Sequence, residues 1–193
     1  MKPALICFLV LTSLSLWFGA QGTPPVTCSG KSLAISLLPG PKMTGPELPL
    51  RFGGTRPFPS PPVNTFRSDN PFRLVIKNRD EFSNFWKQFT AVSQGDSAPP
   101  LPEVDFSKEM VVVAAMGERP SCCNWTIIDG ACEIDGRLEV FVSNVDDVRC
   151  IGNYPAVTYP ADAVRLPRTD LPVVFRETQI PCTQWAKQLK LLQ

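Results

Sequence analysis

The chain of 193 residues contains no histidine. That excludes Ser-His-Asp and Cys-His catalysis, which need an imidazole to take up a proton, and zinc sites built on histidine. Charge is scarce as well. The 19 Lys and Arg and 18 Asp and Glu leave a formal charge of +1 and make up 19% of the residues, below the usual ~25%. A nucleic-acid binder needs a basic face to neutralise phosphates, so nucleic acid is not an expected partner. GxGxxG and P-loop patterns are missing. Asp129, Glu133, Asp135, Asp146 and Asp147 cluster in sequence. They lack the alternating ligands, central glycine and terminal glutamate of a calcium loop, and nothing marks a paired-carboxylate cleft. Solvated turn residues explain them more simply. No metal, cofactor or enzymatic activity is expected.

The N-terminus does carry a signal. Lys2 precedes an uncharged apolar run from Ala4 to Ala20, and Ala20-Gln21-Gly22 places small residues for a cut after Gly22. Residues 1–22 are read as a signal peptide, and no second long apolar stretch follows. The run is short for a bilayer span, which needs ~20 apolar residues. The expected location is secreted or periplasmic, with no membrane span once the signal is removed.

Export changes the reading of sulfur. Cys7 leaves with the signal, and Cys28, Cys122, Cys123, Cys132, Cys150 and Cys182 remain. An even number in an oxidising compartment points to disulfides. A metal site from Cys122, Cys123, Cys132 and Cys150 is the competing reading, but their spacing lacks paired CxxC knuckles.

Proline is abundant, at about 11% against a usual ~5%. Ten of the 21 prolines fall between residues 23 and 68. Proline removes backbone donors and restricts its predecessor. Residues 23–68 are therefore expected to be a disordered or extended linker, with one short strand conceivable at 32–38. Order is expected over 69–178, followed by a tail at 179–193 with a short helix near 186–192.

Within 69–178 the pattern is α+β. Phe72 to Lys77 reads as a strand. Asn78 lies three residues before Glu81, a capping-box-like start, and Phe82, Phe85, Trp86 and Phe89 follow on one helical face. Met110 to Met116 is an unbroken apolar run, suited to a strand buried on both faces. Trp125–Ile128 and Leu138–Val142 flank Asp135-Gly136, a type I′ hairpin signal. Residues 156–166 and 173–175 supply further strands. The expected fold is a mostly antiparallel sheet or sandwich with one packed helix.

The turn makes a prediction about register. It pairs Ile134 with Arg137 and sets Cys122 beside Cys150 across the hairpin. The same register leaves Ile128 facing Ser143, and Gly130 is a plausible bulge site that corrects this. A bridge from Cys150 to Cys122 or Cys123 follows in either register. Cys28 and Cys182 would clip the two ends of the mature chain together. Cys132 has no evident partner.

Asp105-Phe-Ser-Lys-Glu-Met-Val-Val-Val113, Gly117-Glu-Arg-Pro-Ser121, Thr158-Tyr-Pro160 and Val164-Arg-Leu-Pro167 resemble the C-terminal domain of the protease-complex subunit PrcB family. The resemblance covers about residues 72–176. It implies a small exported β-rich domain that is not an enzyme, in a family named for a subunit that stabilises a partner protease. Two departures stand out. Cys122-Cys123-Asn124-Trp125 occupy the places where the family has Thr or Ser, two glycines and an aromatic residue. A cysteine for lipid attachment is missing.

The resulting expectation is an exported, non-catalytic protein-interaction module. Its partner would be a protein, with an extracellular or periplasmic protease as the implied class. The candidate contact loop is Gly117, Glu118, Arg119, Pro120, Ser121 and Trp125. This loop is also similar to the threonine-glycine-aromatic loop of chagasin-like cysteine-protease inhibitors, so direct inhibition is the alternative. A tight structural turn is the simplest reading of the same residues. Asn124-Trp125-Thr126 is a sequon, making Asn124 a candidate glycosylation site.

Overall fold

Alternating and continuous apolar runs produce a structure made mainly of strands. The computed structural model describes residues 28–38, 47–49, 51, 55–57, 68–89, 100–121, 124–146 and 155–181. In chain order the elements are β1 (Lys31–Ser32), β2 (Ser36–Leu37), β3 (Glu47–Pro49), β4 (Thr55–Pro57), β5 (Phe72–Ile76), α1 (Arg79–Phe89), β6 (Glu109–Ala115), β7 (Arg119–Ser121), β8 (Asn124–Ile134), β9 (Arg137–Asp146), β10 (Pro155–Thr158), β11 (Ala161–Pro167) and β12 (Val173–Ile180). Two four-stranded sheets form the body, in the orders β1-β8-β9-β12 and β2-β11-β6-β5. β12 runs parallel to β9, and the other pairs are antiparallel. The expected α+β, mostly antiparallel sandwich with one packed helix is the fold observed.

The sheets meet through a single apolar layer. Met110, Val112 and Ala114 of β6 and Val164 and Leu166 of β11 share one buried cluster with Ile128 and Ala131 of β8 and Leu138, Val140 and Val142 of β9. The other face of β6 is covered too. Its Val111 and Val113 pack with Ile76 of β5 and with Phe82, Phe85 and Trp86 of α1. A strand buried on both faces needs the unbroken run seen in Met110–Met116. Each large side chain fully buried in this way contributes on the order of 1.5–3 kcal/mol.

The helix forms where its cap and stripe coincide. The Glu81 N–H donates to Asn78 Oδ1 at 2.9 Å, satisfying a donor that the helix leaves open. Phe82 lies 5.9 Å from Trp86 and 5.7 Å from Phe106 by ring centroids. The side chain of Phe89 lies outside the described set.

The hairpin register behaves as its turn requires. Asp135 and Gly136 have φ of 49° and 71°, and Ile134 opposes Arg137. The register shifts between Ile128 and Gly130, so Asp129 is the extra residue, next to the Gly130 marked from sequence. The shift pairs Ile128 with Val142 instead of Ser143. It thereby turns Ile128 into the intersheet core.

The sandwich closes differently on its two sides. β1 and β2, from a stretch expected to be linker, take the outer edges of β8 and β11. No proline falls inside 28–38. The same expected linker also forms the β3–β4 pair, which tolerates proline because Pro49 and Pro57 are each the last residue of their strand. On the other side Arg73 of β5 reaches Glu177 of β12 at 2.7 Å. Asn144 Nδ2 donates to Glu177 at 2.9 Å, and Thr126 Oγ1 donates to Asn144 at 2.7 Å. The tail expected from 179 begins later, because Gln179 and Ile180 belong to β12. The signal peptide and the terminal helix at 186–192 lie outside the described residues.

One sulfur expectation is corrected. Cys28 is bonded to Cys132, with Cα atoms 5.9 Å apart, and not to Cys182. Pairing β1 along β8 places Ser32 opposite Cys132 and brings Cys28 to the same end of that strand. The sequence offered no register between 28–38 and β8, so this pairing was hidden. Cys122, Cys123, Cys150 and Cys182 lie outside the described residues, as does the proposed Cys150 bridge.

Candidate partner-binding ribbon

The stretch singled out from sequence does not form one projecting loop. β7 pairs with β10 as a two-stranded ribbon separate from the two large sheets, with Arg119 opposite Thr158 and Ser121 opposite Pro155. The register between those pairs is irregular.

The ribbon's base is held at three points. Gly117 is buried with φ of 74°, and a Cβ there would lie 2.7–2.9 Å from the backbone of Asp69, Asn70 and Pro71. Only glycine fits that approach. The Met116 N–H donates to the Pro160 carbonyl at 2.9 Å. The Tyr159 hydroxyl donates to Glu118 at 3.1 Å.

The candidate contact residues separate into different environments. Glu118 is exposed and Arg119 half-buried, with the Arg119 guanidinium donating to the Glu118 carbonyl at 3.0 Å. Pro120 and Ser121 belong to β7, and their side chains lie outside the described set. Trp125 belongs to β8 and is 7% exposed. Asn124 is 2% exposed, so in the folded chain it cannot present its amide to a glycosylating enzyme. Trp125 is buried because this part of β8 is covered on both faces, every residue from Asn124 to Ile128 being buried.

Sequence reading missed Val157. It lies on β10 and is 48% exposed, and Leu74 of β5, at 38%, is the other exposed large hydrophobic residue among those described. An apolar residue inside a strand-like run reads as core, so no local pattern marked it.

A second polar cluster lies on β9 and β12. Glu139 Oε1 accepts from Arg176 at 2.8 Å and from Arg137 at 2.9 Å. The hydrogen bond from Arg176 holds the Glu139 carboxyl below the usual glutamate range; burial opposes this and Arg137 assists. The same bond raises Arg176 above the usual arginine value. Both arginines are satisfied by one carboxylate, so this arrangement braces the sheet.

Among the described residues no group of three or more His, Cys, Asp or Glu side chains is placed to hold a metal ion. No helix among them is long and apolar enough to cross a membrane. The Cys28–Cys132 disulfide is compatible with an extracellular location. No family model, curated protein or solved structure matches the chain.

Proposed function

We propose that the protein is exported and works by contact, without catalysis of its own. In this reading it binds or stabilises an extracytoplasmic protein partner through the β7–β10 ribbon, and a protease is the partner class implied by the PrcB resemblance. The observation that carries the reading is an exposed apolar residue, Val157, on a ribbon whose base is pinned by Gly117 and by the Glu118–Tyr159 bond. A surface already held in shape loses little entropy on docking. Loops and short ribbons on a rigid scaffold are where contact functions concentrate.

The test is a panel of exported serine and cysteine proteases, incubated with the full mature protein or with its Val157→Asp variant. The reading expects at least one protease to keep its activity longer with the wild-type protein and to lose that protection with the variant. Inhibition by the wild-type protein would favour the inhibitor reading. Unchanged protease lifetimes, or equal protection by both proteins, would contradict the ribbon as the contact.

A further inference from the structure

Residues 28–38 touch both sheets, yet each contact is brief. β1 meets the end of β8 through Lys31 opposite Glu133 and Ser32 opposite Cys132. β2 meets β11 through Ser36 opposite Arg165 and Leu37 opposite Val164. Between them the Leu33 N–H donates to the Ala131 carbonyl at 3.0 Å, and the Leu33 side chain enters the intersheet core. The approach to β8 is close, since a Cβ on Gly30 would overlap the Glu133 carbonyl. Further along, Arg51 binds Asp129 at the bulge. Its backbone N–H donates to the Asp129 carbonyl at 2.8 Å, its Nε lies 3.1 Å from Oδ1, and its guanidinium sits 5.0 Å over the Phe141 ring. Ser143 Oγ also donates to Asp129 at 2.5 Å, fixing the carboxylate from the other side.

Strands of two residues form few ladder bonds, so β1 and β2 cannot hold the segment by themselves. The covalent hold is the Cys28–Cys132 bond. We propose that residues 28–38 are a strap latched by this disulfide, with Arg51 on Asp129 as a second anchor. Thiol–disulfide exchange releases the strap and uncovers the edges of β8 and β11, while the rest of the sandwich stays folded. The strap shares no residue with the β7–β10 ribbon and stands independently of the proposed partner.

The exchange has a direction. Cys132 is 1% exposed, whereas Cys28 is only half-buried. An external thiolate therefore attacks Cys28 Sγ. The Cys28–Cys132 bond breaks, Cys132 leaves as a thiolate and takes a proton, and a mixed disulfide remains on Cys28. The second thiol of a dithiol donor resolves it. The net change is two cysteine thiols gained and one disulfide formed in the donor.

Two measurements on the full mature chain test this. The first is amide exchange in the Cys28→Ser, Cys132→Ser double variant, which leaves the other cysteines untouched. The Leu33 and Arg51 amides should speed up at least about tenfold more than the Val112 amide in the middle of β6, as local opening requires. Equal acceleration of all three, no acceleration, or loss of the fold would overturn the strap. The second uses the wild-type protein, glutathione and peptide mapping. The strap predicts the first glutathione adduct on Cys28; an adduct first on Cys132 would overturn the proposed direction of opening.

Discussion

The carboxylate of Asp162, on β11, accepts the backbone N–H of Ile128, on the facing sheet, at 2.7 Å. Ile128 directly precedes the bulge residue Asp129, where the β8–β9 ladder is interrupted. Asp162 is 6% exposed and sits in a row with Val164 and Leu166. One buried carboxylate thus serves a donor on the opposite sheet and ties the two layers together. Asp162→Ala is expected to lose about 1–3 kcal/mol of unfolding free energy, because the Ile128 N–H is left buried without this acceptor. Asp162→Asn retains an oxygen acceptor and should lose less. Urea unfolding of both variants checks the order.

Gly117→Ala should be costly at a position where the sequence offers only one glycine in a turn. The substitution meets both a φ of 74° and backbone atoms within 2.9 Å of the new Cβ. The left-handed conformation costs an alanine about 1–2 kcal/mol, and overpacking adds about 1–3 kcal/mol. Thermal melting should show a drop of several degrees. A variant as stable as wild type would mean that the Asp69–Pro71 segment moves away freely.

Arg73 and Glu177 each hold more than their mutual ion pair, so truncating either should cost more than an exposed pair does. Arg73 also donates from Nη1 to the carbonyls of Phe72 and Ala115, both at 2.6 Å, and its side chain is 16% exposed against 43% for Glu177. Removing Arg73 leaves two carbonyls short of a donor, at about 1–3 kcal/mol. Removing Glu177 breaks the half-solvated pair, at about 1 kcal/mol or less, and also takes an acceptor from the buried Asn144 amide, at about 1–3 kcal/mol. A double-mutant cycle with Ala at each position reads both losses and their coupling.

Glu139 gives the protein an acid limit of known sign. Its folded pKa is depressed, so its stabilising contribution is present above the ordinary glutamate value of about 4.3 and fades as pH falls through the lower folded value. Arg176→Ala removes the largest cause of that depression. The Glu139 pKa, followed by carboxyl NMR, should then rise towards the ordinary value, and the variant's stability deficit should shrink as the solution is acidified. An unchanged Glu139 titration would assign the depression to Arg137 instead.

Local chemistry was legible in the sequence where one residue decides the outcome. Asn78 announced the helix, Asp135-Gly136 announced the turn, and the run Met110–Met116 announced a doubly buried strand. The bulge was legible within one residue, because an uncorrected register left Ile128 facing Ser143. Long-range placement was not. Nothing local relates Lys31 to Glu133, and so the Cys28–Cys132 bond was not foreseen. The same holds for β12, whose parallel pairing with β9 joins residues far apart in the chain. In the candidate site, Glu118 is exposed and Arg119 half-buried. Trp125 is buried, because the start of β8 is covered on both faces, which no local pattern announces.

Contact through the ribbon is tested most directly by site-specific photocrosslinking in the protein's native surroundings. A photoreactive residue is placed at Val157 in one sample and at Asp170, whose side chain is 93% exposed, in another. The account predicts one dominant crosslinked protein at Val157 that is absent at Asp170. The same faint, scattered products at both positions would contradict it.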